Sequence, residues 1–162
     1  MKKGSNNGLV IFGAVVALGG AIAKALSYYN DLREFAKKVD VEIYDIAINS
    51  QKTNEANWSK IYFRVRLWIV NPTEFTGTLN GASVGLVING KLVAAAKRQG
   101  NISITRKAKT PLTLDLSINT AEAGESLAAL IKGGLDGLKL GAKGSVIVNR
   151  TVIPFNLPFA NK

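Results

Sequence analysis

The chain has 162 residues, enough for one domain with a sizeable core, and a formal net charge of +10 from 21 basic and 11 acidic side chains. It contains neither Cys nor His, which excludes disulfides, thiolate metal sites, the common zinc sites and Ser-His-Asp or Cys-His nucleophiles. The positive excess points to anionic surroundings (lipid head groups, nucleic acid or acidic protein) or serves solubility alone.

The first element is an uncharged run from Leu9 to Ala23, preceded by Lys2 and Lys3 and followed by Lys24, Ala25, Leu26, Ser27, Tyr28 and Tyr29. A bilayer span needs about 20 residues. The run reaches that length if it extends to Tyr29, with Lys24 snorkelling and the tyrosines at the interface. Three readings follow. One is a signal peptide cleaved after Ala21-Ile22-Ala23. Another is a helix buried in a soluble assembly. The third, which we adopt as the expectation, is a retained single-pass membrane anchor. Gly13, Ala17, Ala21 and Ala25 recur every fourth residue, a small-residue stripe of the kind that packs membrane helices together. Membrane lipid and a protein assembly formed through this helix are the partners expected from it. Apolar positions continue at helical spacing through Phe35, Ala36 and Val39, so an amphipathic stalk is expected to about Lys38. Residues 1–38 form the anchor and stalk in this division, and 39–162 the folded domain.

A strand starts at Val39, and its alternation changes phase at Tyr44-Asp45, the mark of a bulge. Gln51 to Ser59 is polar and is expected to be the largest exposed loop. From Ile61 to Val70 the odd positions are apolar and the even ones include Arg64 and Arg66, the period of a half-buried strand. Asn71-Pro72 stops it, because proline offers no N–H and holds its predecessor extended. Ala82 to Ala94 reads as strand, Asn89-Gly90 hairpin turn and return strand. A further turn is expected at Gln99-Gly100-Asn101, then a short strand at Ile102-Ser103-Ile104 and a longer one at Pro111–Ile118. Glu122 to Leu138 carries one apolar stripe of helical period, weakened by Gly133, Gly134 and Gly137. Two closing strands span Ser145–Asn149 and Thr151–Leu157. About seven strands with frequent turns predict a mainly β chain: one β-sandwich of immunoglobulin or fibronectin-III type with a packed helix, preceded by the N-terminal transmembrane and amphipathic helix.

This succession, from Val39 to the C-terminus, resembles the water-stress and hypersensitive-response (WHy) domain, also called the late-embryogenesis-abundant group 2 domain. The residues that carry the resemblance are Asn71, Pro72, Leu79, Asn89 and Gly90, which the resemblance makes structural. It implies a binding and protection module with a desiccation or stress role, not an enzyme. The residues agree: the acids are scattered, with no D-x-D-x-D cluster and no glycine-rich phosphate loop. No catalytic residue, cofactor, metal or small-molecule substrate is therefore expected. Lys97, Arg98, Arg106, Lys107 and Lys109 flank the strand at Ile102, and a hairpin there would gather them into one basic rim. Such a rim could hold anionic lipid or another polyanion non-specifically, without base stacking, since no aromatic residue is interleaved. The function expected is a non-enzymatic, membrane-anchored sandwich with a structural or stress-protective binding role. The alternatives are a virion- or envelope-associated structural membrane protein of a membrane-containing particle and a soluble nucleic-acid-associated module. Whether the membrane is cellular or viral is left open by the sequence.

Overall fold

The computed structural model describes residues 24–31 and 33–159. Gly13, Ala17 and Ala21 of the expected packing stripe, and the uncharged run itself, lie outside the described residues, while Ala25 sits exposed in a helical stretch, 24–31. Among the described residues no helix is long and apolar enough to cross a membrane.

The compact unit begins at Phe35, at a helical stretch that ends at Lys38. Phe35, Ala36 and Val39 are buried, so this last turn belongs to the core. The elements that follow are β1 (Asp40–Ile48), α1 (Ser50–Glu55), β2 (Lys60–Asn71), β3 (Gly77–Ile88), β4 (Lys91–Ile104) and β5 (Ala108–Asn119). Then come α2 (Thr120–Ala123), α3 (Glu125–Lys132), β6 (Leu140–Val148) and β7 (Thr151–Phe159). The strands form two antiparallel sheets, β1-β2-β5 and β4-β3-β6-β7. This is a three-plus-four β-sandwich, as the strand count and turn signals predict.

The alternation of β2 is realised residue by residue. Ile61, Phe63, Val65, Leu67 and Ile69 are buried, and the residues between them are half-buried. Leu112, Leu114 and Leu116 face them from β5 within the same core, and Val84, Leu86, Ala142 and Val146 close it from the other sheet. Each large apolar side chain so buried contributes about 1.5–3 kcal/mol against chain entropy. The phase change in β1 is a bulge at Tyr44, since Ile43 pairs with Leu67 while Asp45 pairs with Arg66. The strand prolines Pro111, Pro154 and Pro158 lie on β5 and β7, both edge strands, where a missing N–H leaves no ladder partner unmet.

Both hairpins use two-residue turns with both φ values positive: Asn89-Gly90 (50° and 82°) and Asn149-Arg150 (47° and 65°). In each the asparagine amide oxygen accepts a remote backbone N–H. Asn89 Oδ1 takes Lys139 N at 3.0 Å, and Asn149 Oδ1 takes Thr78 N at 2.9 Å.

Three expected elements differ. The expected loop at Gln51–Ser59 is largely the helix α1, capped by Asn49 Oδ1, which accepts from Lys52 N at 3.2 Å. Six residues are too few to show a period. It is fixed instead by the fully buried Thr53, whose Oγ1 accepts from Tyr62 N at 3.1 Å. No turn interrupts β4 at Gln99-Gly100-Asn101. Gln99 pairs with Gly81 and Ile102 with Leu79 across a bulge, and Asn80 Nδ2 donates to Asn101 Oδ1 at 3.1 Å. Gly100, at φ 119°, absorbs the irregularity within the strand. The expected helix at 122–138 is divided at Gly124 (φ 83°) and stops at Lys132, before Gly134 (φ 105°).

Candidate functional site

Asn71 is the last residue of β2 and is 1% exposed. Its Nδ2 donates to Phe75 O at 2.7 Å and to Thr105 O at 3.0 Å. Its Oδ1 accepts from Thr73 N at 3.0 Å and from Thr73 Oγ1 at 2.8 Å. Both donors and both acceptor positions of the amide are therefore used. Phe75 lies in the connection that carries the chain from β2 to the other sheet, and Thr105 in the one that returns it to β5. Lys107 N donates to Thr73 O at 3.0 Å across the same two connections. A side-chain bond to local backbone at this turn is what the sequence suggests. The structure adds a bond to a residue 34 positions away. Pro72 follows outside the strand, and Leu79, Asn89 and Gly90 sit in β3 and its turn. All five motif residues thus lie in strands, a turn and a connection.

The five basic residues of the expected rim are not gathered by a hairpin, because β4 runs unbroken through 99–101. Lys97 and Arg98 are nine residues from Arg106 and Lys107 respectively, roughly 30 Å along extended chain. Their environments differ too. Lys107 pairs with Glu74, and Lys109 with Glu42 at 2.5 Å, on the three-stranded side. Lys97 and Arg98 lie on β4, opposite Ser83 and Ala82.

On the outer face of the three-stranded sheet, Arg64 and Asp115 are cross-strand partners. Arg64 Nε lies 3.0 Å from Asp115 Oδ1, and Lys52 Nζ of α1 lies 3.2 Å from Oδ2. The Arg64 hydrogen bond, aided by Lys52, holds the Asp115 carboxyl below its ordinary value despite some opposing desolvation. With the folded-state value depressed, the contribution of Asp115 is present above the unfolded-state value and lost as pH falls through the folded one. The group is exposed, so Asp115→Asn should cost under about 1 kcal/mol at neutral pH. In urea titrations the gap between wild type and variant should close as pH falls below the ordinary carboxylate range. A gap that widened on acidification would contradict the pairing.

Tyr44, placed by the bulge, meets Trp68 with ring centroids 5.3 Å apart. Beside them is an open groove of about 800 Å³ that also touches Glu42, Asp45, Lys109 and Asp136. Glu42 and Asp45 in it are engaged by Lys109 and Arg66, which leaves neither poised as a general base. Among the described residues no group of three Asp or Glu side chains is placed to hold a metal ion. Sequence reasoning set Arg64 on the even face of a strand but gave no role to it, to Asp115 or to Trp68. Their one signal was polar or aromatic residues at the outward positions of alternating strands.

A family model described as late embryogenesis abundant protein matches residues 66–162. The chain belongs to this family. The match begins within β2 and takes in the Asn71 junction and every later strand. No curated protein matches the sequence. Among solved structures, the late embryogenesis abundant chain is similar to a protein from Archaeoglobus fulgidus. That protein is 15% identical over 76% of this chain and 95% of its own, with a TM-score of 0.44. A protein of Bordetella pertussis described as ApaA is 10% identical over 75% of this chain and 89% of its own, TM-score 0.41. A solution structure described as a late embryogenesis abundant protein is 11% identical over 96% of this chain and 88% of its own, TM-score 0.38.

Proposed function

We propose that the chain is a non-enzymatic, stress-protective domain of the WHy type, held at a membrane by its N-terminal segment. The observation that carries this reading is the Asn71 junction within the family match. The buried Asn71 amide spends its whole hydrogen-bonding capacity on the backbone of Phe75, Thr105 and Thr73 and on the Thr73 hydroxyl, which is the design of a scaffold and not of a reaction centre. The tether rests on the uncharged run of residues 9–23, with Lys24, Tyr28 and Tyr29 following it. Tyr28 and Tyr29 are both exposed, as interfacial anchors must be. The expected partners are membrane lipid and, through the N-terminal helix, other protein.

Fractionation tests the tether directly. The protein should stay with membranes through a carbonate wash and retain the N-terminal sequence that begins Met1-Lys2-Lys3. Extraction by carbonate, or a mature N-terminus at Lys24, would refute it. The protective role predicts that the chain keeps a labile enzyme active through drying and rehydration better than equal mass of an unrelated protein. Equal recovery would refute that part.

A further inference from the structure

We propose that the outer face of the four-stranded sheet is itself a docking surface for an anionic lipid bilayer. The first observation is charge segregation. Not one Asp or Glu occurs in β3, β4, β6 or β7, whereas β1 and β5 carry Asp40, Glu42, Asp45 and Asp115. The acids of the three-stranded side take up Lys52, Arg64, Arg66 and Lys109. The four-stranded sheet keeps its lysines without an acid in its own strands.

The second observation is register. Val84 and Leu86 point into the core, so their neighbours Ser83 and Gly85 lie on the outer face. Ser83 is flanked by Lys97 on β4 and Ser145 on β6, and Gly85 by Ala95 and Lys143. Lys97 and Lys143 therefore stand either side of β3, two strand spacings across and two residues along, roughly 12 Å apart. Between them the small residues leave a shallow trough of about 400 Å³, bordered by Leu92, Lys143, Phe155 and Asn156. Ile147 pairs with Val152 on the same face, farther along β6 and β7. Leu92 is 51% and Val152 60% exposed.

The third step is complementarity. A sheet face that mixes exposed aliphatic side chains with lysines, and has no acid in its own strands, fits a surface that is negative on top and apolar just beneath. An anionic bilayer is such a surface: lysine heads meet the phosphates while their stems, Leu92 and Val152 enter the acyl boundary. A nucleic-acid backbone would satisfy the lysines but leave the aliphatic side chains unused.

The reading goes beyond the tether and is testable in the full chain. Because the sequence has no Cys, Val152→Cys and Thr113→Cys each give one labelling site. Thr113 is exposed on the opposite sheet, where it pairs with Arg66. Each is labelled with an environment-sensitive fluorophore and reconstituted in brominated phosphatidylcholine vesicles with and without phosphatidylserine. Quenching is expected at 152 and not at 113, and only when phosphatidylserine is present. Lys97→Glu with Lys143→Glu should lower the ratio of docked to undocked protein at least about thirty-fold. Equal quenching at both sites, quenching without phosphatidylserine, or indifference to the charge reversal would overturn the proposal. Protein that resists carbonate yet shows no quenching at 152 would overturn the docking face and leave the tether standing. The converse result would remove the tether alone.

Discussion

Gly144→Ala should be the most damaging single-methyl substitution in the sandwich. A Cβ at Gly144 would lie 1.9 Å from Ser83 O, 2.9 Å from the Ser83 carbonyl carbon and 3.2 Å from Val84 Cα. All three are backbone atoms of β3, which is hydrogen-bonded on both sides, to β4 and β6. A side chain could rotate away; a central strand can yield only by giving up its ladder. The cost should reach about 3 kcal/mol or more, the upper end for overpacking. That is a large share of the 5–15 kcal/mol that holds a typical domain folded. Two other glycines calibrate the result. Gly141 faces Leu157 O at 2.8 Å, but β7 is an edge strand and can shift. Gly90 has open space and a φ of 82°, so alanine there costs conformational energy only, about 1 kcal/mol. Denaturant midpoints of the three variants should fall in the order Gly144, Gly141, Gly90, with Gly144 lowest. A Gly144→Ala protein as stable as Gly90→Ala would show that the close approach does not govern stability.

Asn71→Asp should be destabilising in a way that depends on pH. The substitution keeps shape but turns the amide nitrogen into an oxygen facing the carbonyls of Phe75 and Thr105. The carboxylate repels both, so the folded-state pKa must rise above the unfolded value of about 3.9. A raised value means that stability is present below the unfolded pKa and is lost as pH rises through the folded one. At neutral pH the loss relative to wild type should be about 3 kcal/mol, because two buried acceptors lose their donors beside a buried charge. Near pH 4 part of it should return, since the protonated acid can donate to one of the two carbonyls. The sign is opposite to that at Asp115, whose contribution disappears on acidification. Asn71→Leu should be equally damaging at neutral pH and insensitive to pH. Parallel pH profiles for Asn71→Asp and wild type would refute the assignment of donors.

The parts of the fold that were legible in the sequence are those whose cause is local. The alternation Ile61-Phe63-Val65-Leu67-Ile69 fixes a strand because each burial is set by the pleat. The phase change at Tyr44 reveals a bulge for the same reason. Asn89-Gly90 reads as a hairpin because few dipeptides tolerate two positive φ angles. The misread parts have distant causes. Gln99-Gly100-Asn101 has the composition of a turn, yet pairing with Leu79 and Gly81 across the bulge keeps it in the ladder. Helix α1 exists because Thr53 is held at the end of β2, not because its residues favour helix. The candidate binding surface was hardest to see. Which lysines are neutralised depends on register, and Lys109 meets Glu42 only because β1 and β5 flank β2. The sequence showed a cluster of five basic residues; the fold separates it and sets Lys97 and Lys143, 46 positions apart, on the two strands that flank β3.

The Asn71 junction also bears on how the domain opens. The chain passes between the sheets through the segments after β2 and after β4, and one amide is bonded into both. Parting the two connections must break the Asn71 bond to Thr105 O together with the bond from Lys107 N to Thr73 O. The two connections therefore should not fray as loops do. In native-state hydrogen exchange the amides of Thr73 and Lys107 should be released with those of the central strands, in one event near the full unfolding free energy. A domain that exposes its apolar interior only by opening completely presents few partly open forms. In a crowded or drying medium, those are the forms through which chains stick to one another.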